Sequence, residues 1–199
     1  MLELGLLNTF ALGSIIVFGI PHGGLDAAIS RKKGWSATKI HTIYFHVFYL
    51  ILTLLIITLW YFLPLFSLIL FLIISAFHFG YSDLNNSKDI RIAALISHGG
   101  LVPIIIPYFQ TDLVLKFFSI LSGQENAATV ISIINYLIFP WAMFFLIYTF
   151  NVIKNKTYSS SYASLLFIVI LAWIFPPLVS FSIYFCVIHS PRHIFLILN

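Results

Sequence analysis

Long apolar runs separated by short charged loops restrict this chain to one class of fold. Thr42–Leu63, Leu65–Asp83, Ile90–Phe109 and Thr129–Ile153 are each close to the roughly 20 residues that carry a helix across a bilayer's hydrocarbon core. The composition agrees: 61% of the 199 residues are hydrophobic and 8% are charged. Soluble domains are about 45–50% apolar and about 25% charged. Mean hydropathy is +1.05. The expected fold is all-α, a polytopic helical integral membrane protein with residues 1–199 as a single transmembrane helical domain.

Three further segments complete a set of about seven transmembrane helices: Leu4–Ile20, Tyr162–Phe175 and Leu178–Leu198. The first is short; Pro21 and Gly23-Gly24 are expected to break its helix, and Leu25–Ile29 extends it beyond the break. Met1-Leu2-Glu3 lacks the basic stretch that opens a cleavable signal peptide, so this segment is expected to remain as a span. Gln110–Ala128 is a connection in which Leu113–Leu121 is expected to lie on the membrane surface. Pro176-Pro177 ends the sixth segment, because consecutive prolines cannot continue a helix unbroken. With seven spans and the N-terminus outside, Arg31, Lys32, Lys33, Lys39, Lys88, Arg91, Lys154, Lys156 and Arg192 share one side. Only Lys116 falls on the other. Basic residues mark the cytoplasmic face, which sets the orientation in a plasma (inner) membrane. The net charge of +4 is explained by these loops and does not point to nucleic acid.

Lys and Arg alone fix that topology, and it gathers four histidines on the cytoplasmic side. His22 ends the first segment, His78 ends the third, and His189 and His193 end the seventh. Ionisable groups at membrane depth are costly and mark function by default. His189 and His193 stand four residues apart, which on a helix puts both rings on one face. Bundles build metal sites from facing helices in this way, so the four are candidate metal ligands and catalytic residues in the cytoplasmic half of the bundle. Imidazole suits Fe, Zn, Cu or Ni, and a single cysteine, Cys186, rules out a cysteine-based zinc site within the chain. A ligating imidazole normally donates its other N–H to a carboxylate or carbonyl. Asp26, four residues after His22, and Asp83, five after His78, are candidates for that supporting role. The blander reading of each Asp is a helix cap or a pair with Arg31 or Arg91. His98 reads as a supporting or structural residue, since Gly99-Gly100 and Pro103 beside it suggest a break or close packing. His41 and His46 read as interfacial residues.

The motifs Pro21-His22-Gly23-Gly24-Leu25-Asp26, His78-Phe79-Gly80 with Asp83, His98-Gly99 and His189-Ser190-Pro191-Arg192-His193 together resemble the Brp/Blh family of membrane β-carotene 15,15′-dioxygenases. The resemblance implies a non-haem Fe(II) enzyme that uses O2 to split the central double bond of β-carotene into two all-trans retinals. It implies iron held by His22, His78, His189 and His193, and retinal passed to a microbial rhodopsin. Family members continue beyond the last histidine motif, so the chain is expected to be truncated at its C-terminus relative to them.

Two rival functions fit a helical membrane protein of this size. A rhodopsin needs a mid-helix lysine, and Lys32, Lys33, Lys39, Lys88, Lys116, Lys154 and Lys156 all fall in loops or the surface stretch. A proton- or ion-coupled transporter would use intramembrane His and Asp at broken helices, and is the alternative.

Overall fold

The structure is a computed structural model that describes residues 5–24, 26–35, 38–84, 92–155 and 159–191, the side chains at 19–24, 26–28, 155 and 159 excepted. Among the described residues every regular element is helical. In chain order they are α1 (Leu6–Gly24), α2 (Asp26–Lys32), α3 (Lys39–Phe62), α4 (Pro64–Leu84) and α5 (Ile92–Gly99). A π-helical segment follows, π1 (Leu101–Ile105), then α6 (Ile106–Phe109), α7 (Thr111–Ser122), α8 (Gln124–Asn155), α9 (Ser159–Ile174), α10 (Pro177–Ile183) and a second π segment, π2 (Tyr184–His189).

By length and composition α3, α4 and residues 124–154 of α8 are long and apolar enough to cross a membrane. The pair Ile92–Gly99 and Leu101–Phe109, bent by 44°, makes a fourth. Leu6–Phe18, Ser160–Ile174 and Pro177–His189 are shorter apolar helices. None of α3's residues is buried against the rest of the chain. A helix that leaves apolar side chains exposed along nearly its whole length needs lipid around them.

The bend falls where the sequence marks it. Gly100 closes α5, and Pro103, which has no N–H to donate, sits in the middle of π1. Pro176 separates α9 from α10 as expected, with Pro177 at the first position of α10, where its missing N–H costs nothing. Pro21 behaves differently. The break expected there is absent, and α1 continues through Pro21-His22 to Gly24. Membrane helices tolerate proline because neighbouring groups satisfy the backbone it frees. Leu113–Leu121 is helical, as α7, but it is more than a surface strip. Val114, Phe118 and Ser122 are buried, and α7 covers Leu68 of α4 and Val130 and Ile134 of α8. The Trp60 indole donates to the Leu121 carbonyl at 2.7 Å, fixing the end of α7 beside the α3–α4 turn. His78 lies 14 residues along α4 from Pro64, about 21 Å away at 1.5 Å per residue.

The main core gathers Phe79 and Leu84 of α4, Leu101 and Ile105 of π1, Tyr148 of α8 and Tyr184 of π2. It is this core that seats the polar groups.

Candidate metal centre

α4 and α5 touch through small residues. A Cβ on Gly80 would come within 2.7 Å of the Leu95 carbonyl oxygen, and one on Gly99 would overlap the Ala76 backbone. Only glycine at these positions lets the two helices approach so closely. The approach brings His98 of α5 against Asp83 of α4, with Nδ1 donating to Oδ2 at 3.3 Å. The Trp141 indole of α8 donates to the Ser97 carbonyl at 3.1 Å and holds α5 from its other side.

Two groups of π2 meet the same carboxylate. The Tyr184 hydroxyl donates to Asp83 Oδ2 at 3.0 Å. His189 Nδ1 stands 3.5 Å from Asp83 Oδ1, at the outer edge of hydrogen-bonding reach. His98, His189 and Tyr184 are fully buried. The network assigns the Nδ1–H tautomer to His189, because a proton there is the group Asp83 attracts. The Nε2 lone pair then points away from Asp83, and His189 Nε2 lies 3.2 Å from His78 Nε2.

That spacing is informative. Two imidazole nitrogens that bind one cation at about 2.1 Å stand about 3.0–3.4 Å apart, according to the angle between them. The His78–His189 pair therefore fits two corners of a metal site, with Asp83 behind one of them. Among the described residues no three His, Cys, Asp or Glu side chains form a metal-holding group. The side chains of His22 and Asp26, and all of His193, lie outside those residues. The helices concerned do run together: α1, which carries His22, lies along α10 and π2, and the Cys186 thiol reaches the Ser14 carbonyl at 3.6 Å.

The structure thus brings together His78, His98, His189 and Asp83. Asp83 faces His98 and His189, whereas its place five residues after His78 suggested support for His78. Five residues on an α-helix turn a side chain by about 140°, so support from another helix is the better geometry. His41 and His46 lie on exposed α3, and His46 Nδ1 meets the Thr42 carbonyl of its own helix at 2.7 Å. Sequence reasoning missed Tyr184. It stands five residues before His189, which on an α-helix is the wrong face. The Tyr184 and His189 rings are nonetheless 5.7 Å apart, because π2 closes its turns from i to i+5.

An apolar cavity of about 490 Å³ reaches His78 of this pair. Phe71 and His78 of α4, Ile106 and Pro107 of α6, Phe117 of α7 and Phe181 of α10 are among its walls. It extends from the His78 end of α4 toward α7.

Comparisons with known proteins give the family of the chain. The family model described as "Beta-carotene 15,15′-dioxygenase" matches residues 13–199. A Beta-carotene 15,15′-dioxygenase of an uncultured marine bacterium, 66A03, is 39% identical over 193 residues, covering 96% of this chain and 69% of the relative. No solved structure matches the chain. These two matches leave one assignment: the chain belongs to the β-carotene 15,15′-dioxygenase family of carotenoid-cleaving membrane enzymes.

Proposed function

We propose that the chain cleaves β-carotene at its central 15,15′ double bond into two all-trans retinals, with O2 as co-substrate and Fe(II) held by His22, His78, His189 and His193. The carrying observation is the His78–His189 pair, 3.2 Å apart at Nε2, with His78 lining an apolar cavity. When bound, ferrous iron supplies the redox chemistry with O2 that side chains lack. The overall change balances without a further reductant: one C=C bond and one O2 become two C=O groups. The chain's own residues therefore position and exclude. The phenyl rings of Phe71, Phe117 and Phe181 offer an apolar wall to a polyene arriving from lipid, at little desolvation cost. Asp83 holds the His189 ring, and His98 and Tyr184 hold Asp83. No side chain is required to transfer a proton to substrate. The transporter reading gives way to the family match.

In the membrane we infer seven spans in one domain: α1, α3, α4, the bent α5–π1–α6 unit, α8, α9, and α10 with π2. The metal centre lies toward the cytoplasm, and retinal leaves for a microbial rhodopsin. Expression in β-carotene-producing bacteria tests the activity. The expected result is loss of orange colour with retinal appearing, and no retinal from His78→Ala or His189→Ala. Wild-type retinal yield from either variant would overturn the centre.

A further inference from the structure

We propose that Tyr184 and His98 form a clamp on Asp83 that sets the orientation of His189, and that the π-helical register of π2 makes this clamp possible. The inference rests on the metal centre proposed above and adds a positioning residue, Tyr184, to it.

Asp83 Oδ2 accepts from two donors, the Tyr184 hydroxyl at 3.0 Å and His98 Nδ1 at 3.3 Å. Both donors come from helices other than α4. A carboxylate held by one oxygen from two directions cannot rotate about its Cβ–Cγ bond without breaking a buried hydrogen bond. The other oxygen is thereby kept facing His189 Nδ1 at 3.5 Å. With Nδ1 turned toward that oxygen, His189 presents Nε2 to His78. The chain of contacts runs from Tyr184 through Asp83 to the imidazole, and Tyr184 need not touch a metal or the substrate.

The register is the unusual part. Tyr184 and His189 are the first and last residues of π2. In an α-helix their side chains would diverge by about 140° and could not serve one carboxylate. Closing the turn from i to i+5 returns His189 to the face of Tyr184. The π-helix is therefore a functional device: it lets one short segment supply both the oriented imidazole and a donor to the group that orients it.

The test uses metal-free full-length protein in detergent, titrated with Co(II), whose visible absorption reports imidazole ligation. Replacing an outer partner of a ligand usually costs about 10–100-fold in metal affinity. Asp83→Asn is expected to fall in that range and Tyr184→Phe to lose on the order of tenfold. The double variant is expected to bind no more weakly than Asp83→Asn, within about twofold, because Tyr184 acts only through Asp83. KM for β-carotene in the iron-loaded enzyme should be unchanged in Tyr184→Phe, since Tyr184 is not among the cavity's lining residues. Wild-type affinity in Tyr184→Phe, multiplicative losses in the double variant, or a raised KM would each overturn the clamp. If Tyr184→Phe does not accumulate, His98 answers instead. His98→Asn keeps a donor nitrogen near Nδ1 and should bind about as wild type, whereas His98→Leu should not. Equal affinities for those two overturn the proposal. His78→Ala and His189→Ala separate the two levels: wild-type affinity in both removes the metal centre and the clamp with it. Loss in both with no loss in Tyr184→Phe removes the clamp alone.

Discussion

Asp83 is the residue on which the polar interior depends, and its removal has a definite cost. Ala at this position removes the acceptor of two buried donors, the His98 Nδ1–H and the Tyr184 hydroxyl. Losing a buried hydrogen bond of this kind costs about 1–3 kcal/mol. Asp83→Ala should therefore destabilise the metal-free protein by several kcal/mol, and Asp83→Asn, which retains an acceptor oxygen, by clearly less. Thermal unfolding in detergent without added metal checks this ordering, and equal melting temperatures for the two would refute it. Much at this scale is legible in the sequence. The loop charges alone put His78 and His189 at one end of the bundle, and the position of Asp83 marks it as support for an imidazole. The choice of partner is not legible. Asp83 and His189 are 106 positions apart, and nothing local in either segment says that a carboxylate on α4 faces the seventh segment rather than its own helix. Nor is Tyr184, because the usual rule for shared faces assumes 3.6 residues per turn.

At the level of elements, the site depends on how closely α4 and α5 pack. Gly99 faces the Ala76 backbone two residues before His78, so a methyl group there has only backbone to displace. Forced overpacking of this kind costs about 1–3 kcal/mol. Gly99→Ala should lower the melting temperature and weaken Co(II) binding together, because separating the helices moves Asp83 relative to His98. A methyl group on Gly13 would meet nothing within 4 Å, so Gly13→Ala should do neither. A melting temperature unchanged in Gly99→Ala would show that the contact yields without cost. The π2 segment allows a second experiment. Val187 points outward with 67% of its surface exposed. Deleting it would leave Tyr184 and the histidine four residues apart, a spacing that shares a face in an ordinary α-helix. The deletion should therefore keep Co(II) affinity within a few-fold of wild type, while deletion of buried Val179 from α10 should not. Element positions follow the apolar runs well, including the breaks at Gly99-Gly100 and Pro176. Pro21 departs from expectation because the rule that proline breaks a helix holds for helices in water, where its lost hydrogen bond has no neighbouring helix to mend it.

For the whole molecule, the distribution of Lys and Arg and the geometry of the bundle make one joint prediction about sidedness. The Trp60–Leu121 bond places α7 at the α3–α4 turn, and α4 then carries Asp83 and His78 toward its opposite end. Nine of the ten basic residues fall with the histidines in the seven-span reading, and Lys116 of α7 falls at the far end. Ser87 follows α4, and Glu125 opens α8 directly after α7. The two should thus stand on opposite faces of the membrane. Cys186 is the sole native cysteine, so a Cys186→Ser background permits single labels at Ser87→Cys and Glu125→Cys. A membrane-impermeant maleimide added to intact cells should modify Glu125→Cys and reach Ser87→Cys only after permeabilisation. Labelling of both from outside, or of Ser87→Cys alone, would reverse or abolish the proposed orientation. The expected pattern would place the imidazole pair toward the cytoplasm, with the apolar cavity running from it toward the outer face, so that the polyene would lie along the bundle rather than across it.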